Sequence, residues 1–581
     1  MVTAGSVQRR SRRAPAASRH RAAAWLGWAG AAGLPLGFLL LFFAWPVVAL
    51  VATGFGGMSG GIGRDLGGFA EVFGEPRTWR VIGQTLLQAS GGTLLSVALG
   101  IPAAFVLYRL EFRGVTALRA LTTVPFVLPT VVVGVAFTAL LGDGGPLAGL
   151  GWDQSALAII LALAFFNVTV VLRTVGGFWA QLDTRPEQAA RMLGAGPLRV
   201  WWTITLPSLG PAIASAAALV FLFCATSFGV VIVLGGRAFS TIETEIYRLT
   251  VQFLDLRSAA VLALVQFAIV AGVMVVSAWL RRRREAAMGR AGGISMRFEP
   301  RRGVTPRAVH APAILLFAAT AVLLHALPLV VLVARSVRDR EGRWTLEHYA
   351  RLAKPPEGSA LQGTVFDATL ASLGFAAIAT VLAIVLGVFA ALVASRRPRS
   401  RALRRAIEWF DGAMMLPLGV SAVTLGFGLL LTMQRPLGLG FDLRTSAVLI
   451  PIAQALVALP LVLRTLLPVL RGIDPRTRDA ASMLGASPLR VLATIDLPML
   501  GRSAGLALGF AAAASLGEFG ATAFLVRPDV QTLPVVISQL IGRQGAENYG
   551  MALAASVVLG LMVTGIMLAA ERLRGSEAGN W

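Results

Sequence analysis

The side chains that most often perform chemistry are few and scattered in this 581-residue chain. The four histidines are His20, His310, His325 and His348, and no cluster of carboxylates or cysteines accompanies them. The single cysteine, Cys224, excludes an intrachain disulfide and a multi-cysteine metal site. The sequence therefore predicts no catalytic site, no metal site and no cofactor.

A phosphate-binding loop for ATP is also missing from the sequence. Such a loop needs Gly-Lys followed by Ser or Thr, whereas the only lysine, Lys354, precedes Pro355. A nucleotide site of this kind would therefore have to lie on a partner protein.

One carboxylate is notable because of where it lies. Glu518 is the one ionisable residue that the hydropathy pattern places inside an apolar span, where a charge is costly unless it faces water or a partner. Two interpretations stay open. Glu518 lines a path for a cation, or it satisfies backbone and hydroxyl donors where the flanking Gly517 and Gly520 let helices approach closely.

The elements that position these residues must lie in a lipid bilayer. Hydrophobic residues make up 56% of the chain and charged residues only 14%, whereas a soluble domain carries about 25% charged residues. The net charge of +23 resembles that of nucleic-acid-binding proteins, but the basic residues sit in short runs between apolar stretches, as membrane topology requires. The composition predicts an all-α integral membrane protein with no nucleic-acid partner.

Hydropathy windows of about 19 residues predict about 12 transmembrane helices in two groups of six. The first group lies near residues 26–52, 83–107, 121–141, 156–171, 211–234 and 259–280. The second group lies near residues 311–333, 370–394, 414–431, 447–462, 504–525 and 551–570. Each span is expected to be helical because lipid offers backbone groups no partner outside the helix.

The basic residues divide unequally between the two sides of such a bundle. If both termini are cytoplasmic, 36 of the 52 Lys and Arg residues fall on cytoplasmic segments and 16 on external loops. This positive-inside bias predicts a multi-pass protein of the cell's inner (plasma) membrane with both termini in the cytoplasm. The expected order begins with a basic cytoplasmic segment at residues 1–22 and a first half of six spans at 23–280. An Arg-rich cytoplasmic linker at 281–310 leads to a second half of six spans at 311–570 and a cytoplasmic tail at 571–581.

The two halves repeat one another most clearly between the fourth and fifth span of each half. Residues 188–207 read QAARMLGAGPLRVWWTITLP and residues 479–498 read DAASMLGASPLRVLATIDLP, with 14 of 20 positions identical at an offset of 291. Each copy predicts a short helix, a break at Gly194 or Gly485, and a second short helix that starts near the following proline. We call these segments the first and second elbow, and we expect both to present polar residues to a soluble partner on the cytoplasmic face.

The elbows resemble the cytoplasmic coupling loop of the permease subunits of binding-protein-dependent ABC importers. That loop reads Glu-Ala-Ala, three residues, Gly, nine residues, Ile, one residue, Leu-Pro. The matching residues of the two elbows are Ala189, Ala190, Gly194, Ile204, Leu206, Pro207, Ala480, Ala481, Gly485, Ile495, Leu497 and Pro498. Gln188 and Asp479 stand where the family usually has Glu, so the first elbow lacks that charge unless the adjacent Glu187 replaces it.

The resemblance implies a function and a set of partners. In that family each coupling loop docks on an ATP-hydrolysing subunit, and closure of the ATPase dimer switches the permease between inward-facing and outward-facing states. The resemblance therefore implies two tandem six-helix repeats that bind two copies of an ABC ATPase subunit and receive substrate from an extracytoplasmic solute-binding protein. The chain itself would be a permease and not an enzyme.

The substrate is less well defined by the sequence. Among fused two-half permeases the chain most resembles the thiamine and ferric iron group, with thiamine as the first expectation and ferric iron as the alternative. The runs that contain Asn167 and Ser227 resemble the thiamine permease, and these two residues join Glu518 as candidates for the translocation path. A 6+6 secondary transporter is the alternative of another class, but it would carry several ionisable residues in its spans and would not need the two elbows.

Overall fold

The computed structural model describes most of the chain. It describes residues 28–56, 67–236, 238–290, 308–339, 341–355, 363–396, 398, 400–438, 440–543 and 545–573. The predicted N-terminal segment lies outside these residues. Most of the predicted linker and of the predicted C-terminal tail also lies outside them.

Long apolar helices dominate the described residues, which contain no strand beyond isolated bridges. Within the described part of the chain, nine helices are long and apolar enough to cross a membrane: Trp28–Gly54, Pro76–Arg109, Ala156–Gln181, Pro197–Ala225, Leu256–Trp279, Ala308–Ser336, Val365–Ala394, Leu449–Gly472 and Ala546–Arg572. Three bent pairs raise the number to 12 if each pair is one span: Val115–Val127 with Thr130–Leu141, Arg401–Gly419 with Ala422–Thr432, and Pro488–Gly501 with Ala504–Gly517. The all-α prediction is confirmed, and we number these helices and pairs as the first to twelfth spans in chain order.

The third and ninth spans are sharply bent, by 95° and 99°. In the third span the bend falls at Leu128, which is extended as expected for a residue before proline, and Pro129 then precedes the helix Thr130–Leu141. In the ninth span the hydroxyl of Ser421 accepts hydrogen bonds from the amides of Val423 and Thr424 and so caps the second segment. Hydropathy alone predicts a single span in each place because the turn residues are themselves apolar or small.

The fifth and eleventh spans end earlier than the sequence predicts. The helices stop at Ala225 and Gly517, and short helices then begin at Gly229 and Thr522. The reason is a close approach to the bent spans. A Cβ atom at Gly229 would lie 2.3 Å from Thr130 Oγ1, and a Cβ atom at the equivalent Gly520 would lie 2.9 Å from the Cβ of Ala422.

The two halves pack in the same way internally and also interlock. The second span packs on the fourth and fifth, and the eighth packs on the tenth and eleventh. The first span of each half also contacts the opposite half: Trp45–Gly54 packs on Ala422–Thr432, and Leu327–Ser336 packs on Thr130–Leu141. The halves are therefore related by an approximate two-fold axis, and the first span of each half packs against the other half.

Candidate coupling elbows and translocation path

Both elbows have the predicted helix, glycine, helix geometry. The first contains the helices Arg185–Met192 and Pro197–Val200, and the second contains Pro475–Met483 and Pro488–Val491. Gly194 and Gly485 join them with φ of +85° and +84°. This left-handed conformation favours glycine because a Cβ atom would be strained there.

The turn at each glycine is tied by the same two backbone hydrogen bonds. In the first elbow the amide of Ala195 donates to the carbonyl of Ala190 (3.0 Å) and the amide of Gly194 to that of Arg191 (3.0 Å). In the second elbow Ala486 and Gly485 make the matching bonds at 3.0 and 3.1 Å. This pairing is the Schellman motif, which satisfies carbonyl groups at a helix end and gives both elbows one defined shape.

Each elbow exposes large apolar side chains at its tip. Met192 and Leu193 are 88% and 89% exposed, and the equivalent Met483 and Leu484 are 89% and 90% exposed. Leu198 and Leu489 on the second short helices are also largely exposed. Two matching apolar tips beside arginines have the character of a surface that a protein partner covers.

The remaining residues of the elbow pattern surround these tips. Gln188 and Asp479 are exposed on the first short helix of each elbow, as are Ala189 and Ala480, while Ala190 and Ala481 are half-buried. Ile204 and Ile495 are half-buried beside the second short helices. Leu206 and Pro207, like Leu497 and Pro498, open the long helices that continue into the fifth and eleventh spans. The elbow is therefore continuous with a span of each half.

A polar latch, in which a carboxylate accepts hydrogen bonds from arginine, ties each elbow to the end of a preceding span, but the carboxylate stands at a different position in each elbow. In the first elbow the carboxylate of Glu187 accepts from Thr205 Oγ1 (2.9 Å) and from Arg109 (3.4 Å) at the end of the second span. Glu187 is thus turned inward.

In the second elbow the carboxylate of Asp496 accepts from Arg478 (2.8 Å) and from Arg396 (2.5 Å), which follows the eighth span. Arg478 and Asp496 are the equivalents of Glu187 and Thr205 at the offset of 291. The same two positions are therefore hydrogen-bonded to each other in both elbows. The acid stands at the first position in the first elbow (Glu187) and at the second position in the second elbow (Asp496).

Aromatic rings meet where the two halves face each other. Phe228 and Phe519, which are equivalent at the offset of 291, stack with ring centroids 5.0 Å apart and planes 14° apart. Both are buried, at 4% and 5% exposure. The ring centroid of Tyr247 lies 5.3 Å from that of Phe228 and 5.4 Å from that of Phe524. Two ring contacts, Phe228 with Phe519 and Tyr247 with Phe524, therefore join the two halves.

The three candidates for the translocation path lie in different environments. Glu518 is buried, and its carboxylate accepts hydrogen bonds from the amides of Ala521 (2.7 Å) and Thr522 (3.0 Å), which begin the next short helix. Ser227 adjoins Phe228, and its buried hydroxyl has no hydrogen-bond partner among the described residues. Asn167 donates to the carbonyl of Leu163 on its own span and to Cys224 Sγ on the fifth span, so its described partners both belong to the first half.

Comparison with known proteins identifies the family. Residues 96–286 match a family described as a binding-protein-dependent transport system inner membrane component. The molybdenum transport system permease protein of Mycobacterium tuberculosis is 34% identical over 224 residues, which cover 36% of this chain and 84% of that protein. The chain belongs to the family of binding-protein-dependent ABC importer permeases. This membership excludes the alternative of a secondary transporter.

Similarity to other relatives extends over both halves of the permease. The thiamine transport system permease protein of Brucella abortus is 27% identical over 559 residues, which cover 94% of this chain and 95% of that protein. The Escherichia coli protein of the same name is 29% identical over 487 residues, covering 82% and 86%. A solved structure of a bacterial ABC transporter involved in alginate import aligns with 46% of this chain and 98% of that chain, at 19% identity and a TM-score of 0.40.

Ionisable residues other than Glu518 also lie in the apolar interior, among them Glu243 and His325, so the prediction of a single one is wrong. Glu243 is fully buried, and its carboxylate accepts from Ser421 Oγ (2.6 Å) in the other half and from Gln266 (3.3 Å). His325 lies in the seventh span with its Nε2 atom 3.1 Å from the carbonyl oxygen of Phe165. Hydropathy analysis does not place Glu243 in a span because its helix, Ile242–Tyr247, is far shorter than the window of about 19 residues that detects a transmembrane helix.

The contacts of Glu518 predict a graded loss of stability. Glu518→Gln leaves one acceptor oxygen for two backbone amides, and Glu518→Leu leaves none. Because each buried donor without a partner costs about 1–3 kcal/mol, we expect the melting temperature in detergent to fall in the order Glu, Gln, Leu. Ser227→Ala at the equivalent position removes a hydroxyl without a described partner and is the matched control, expected to melt like the wild type. Equal melting of all four proteins would leave the cation path as the interpretation of Glu518.

Proposed function

We propose that this permease forms the translocation path of a thiamine importer. The observation that carries the proposal is the similarity over 94% of the chain, through both halves, to a permease named for thiamine transport. Thiamine is an aromatic cation, and the aromatic rings between the halves offer faces that suit such a solute.

Uptake by intact cells tests the substrate. We expect cells that lack the gene to lose most high-affinity uptake of labelled thiamine, and a plasmid copy to restore it. Uptake of labelled ferric iron is measured in the same cells. Loss of iron uptake with unchanged thiamine uptake would overturn the proposed substrate in favour of ferric iron.

We also propose that the two elbows dock two copies of an ABC ATPase subunit, and that a solute-binding protein delivers the substrate from the other side of the membrane. Residues Gln188 to Pro207 and Asp479 to Pro498 carry the docking surfaces. Their apolar tips, exposed by 88–90%, support this role. The chain supplies the translocation path and the elbows that pass the motion of the ATPase to the spans, and ATP hydrolysis takes place on the partner. Closure of the ATPase dimer then moves the elbows, and each elbow moves the span that it opens.

The topology that fits this arrangement has both termini, both elbows and the linker at 281–310 in the cytoplasm, with the halves at 23–280 and 311–570 in the inner membrane. Single cysteines at Gly292 and Gly149 test it in a Cys224→Ala background. We expect an impermeant thiol reagent to label Gly149→Cys in intact cells, and to label Gly292→Cys only after the membrane is opened. Labelling of Gly292→Cys but not Gly149→Cys in intact cells would reverse the topology.

A further inference from the structure

The stacked pair of Phe228 and Phe519 is a direct contact between equivalent residues of the two halves. The rings belong to positions related by the internal repeat, so the pair lies on the approximate two-fold axis. A path that runs between two such halves follows this axis. The two rings therefore lie across the line that a solute would take.

The position of the pair along the membrane follows from the helix that leads to it. Leu206–Ala225 contains 20 residues and extends from the first elbow to the break before Phe228. At 1.5 Å per residue this helix is about 30 Å long, close to the thickness of the hydrocarbon core. The pair thus lies toward the side opposite the elbows, which is the external side in the proposed topology.

The surroundings of the pair suit a contact that opens. Phe228 and Phe519 lie at the breaks that follow the fifth and eleventh spans, outside the long helices themselves. The rings meet only through van der Waals contact, which separates without breaking a hydrogen bond. Tyr247 and Phe524 offer further ring faces beside them, and the buried hydroxyl of Ser227 has no described partner.

We propose that Phe228 and Phe519 form an aromatic gate that closes the external side of the path, and that the separated rings bind an aromatic cation as it passes. The second part rests on the proposed function. A cation that crosses an apolar constriction loses water, and ring faces replace part of that loss through stacking and cation–π contact.

Cross-linking tests whether the pair opens. Phe228→Cys and Phe519→Cys are combined in the Cys224→Ala background, assembled with the partner ATPase and binding protein, and treated with a short bifunctional thiol reagent. We expect efficient cross-linking at rest and at least fivefold less when the ATPase is trapped with ATP and vanadate. The single-cysteine variants are the controls. An equal yield in both states would overturn the gate, whatever the substrate is.

The same assay separates the gate from the proposed function. If the yield changes with nucleotide but the wild-type complex takes up no thiamine, the gate stands and the substrate is wrong. If the wild type takes up thiamine and the cross-linked protein does so equally well, the gate is wrong. We expect cross-linking to stop thiamine uptake and a reductant to restore it when the reagent carries a cleavable disulfide.

Replacement of the rings tests their part in recognition. Phe228→Leu with Phe519→Leu keeps apolar bulk at the gate but removes the ring faces. We expect thiamine uptake at saturating binding protein to fall about tenfold, since ring contacts to a desolvated cation are lost. A melting temperature close to that of the wild type confirms that the variant is folded. Wild-type uptake by the folded leucine pair would overturn the role of the rings in recognition.

Discussion

Asp496→Ala is expected to cause the largest loss of stability among single substitutions in the elbows. Asp496 is fully buried and accepts hydrogen bonds from Arg396 and Arg478, so its removal leaves two guanidinium groups without their acid. Breaking a buried ion pair in this way costs about 3–5 kcal/mol. Arg396 keeps 26% of its side chain exposed, so water offsets part of the loss and the lower end of that range is expected.

Cys224 offers a direct measurement of this loss. It is the single cysteine and is fully buried, so a thiol-reactive fluorophore reports when the protein unfolds. The control is Thr205→Val at the equivalent position of the first elbow, which removes one hydrogen bond and leaves Glu187 paired with Arg109. We expect it to cost about 1–2 kcal/mol. The latch interpretation would be wrong if Asp496→Ala melted no earlier than Thr205→Val.

Leu193→Glu together with Leu484→Glu is expected to release the ATPase subunits from the permease. Both leucines are about 90% exposed, so a charge there leaves the fold intact but would be buried without a partner in a docked complex. Interface anchors of this kind are worth about 2 kcal/mol or more each, which corresponds to roughly 30-fold weaker binding per elbow. Copurification of the ATPase with a tagged permease measures the effect.

The control for this experiment keeps the tips apolar. Leu193→Met with Leu484→Met is expected to copurify the ATPase as the wild type does, because volume and polarity are preserved. Each Glu variant alone is expected to retain about half of the ATPase if the two elbows bind one copy each. Full copurification with the double Glu variant would contradict docking at the elbows.

The sequence predicts the elbows well because their shape depends on local residues. A glycine that needs positive φ and a proline at the start of the next helix determine the turn within about ten residues, and the structure has that turn twice. The charges of the latches were harder to predict. They depend on Arg109, at the end of the second span, and on Arg396, which follows the eighth span. These arginines precede their carboxylate partners by 78 and 100 residues.

Contacts between the halves were beyond the reach of hydropathy and local pattern. The repeat makes Phe228 and Phe519 equivalent, but their stacking requires knowledge of how the halves face each other. The bond between Glu243 and Ser421 likewise joins residues 178 positions apart. Hydropathy also predicts the fifth and eleventh spans as longer helices, because a window of about 19 residues averages the short turns after Ala225 and Gly517 with the apolar residues around them.

ATP-driven uptake in proteoliposomes tests the central claim most directly. The permease is reconstituted with its ATPase and supplied with binding protein and labelled thiamine on the external face. We predict that thiamine accumulates against its gradient only when ATP and binding protein are both present, and that Leu193→Glu with Leu484→Glu abolishes this accumulation. Accumulation without ATP, or ATP hydrolysis stimulated by loaded binding protein with no entry of thiamine, would contradict the account.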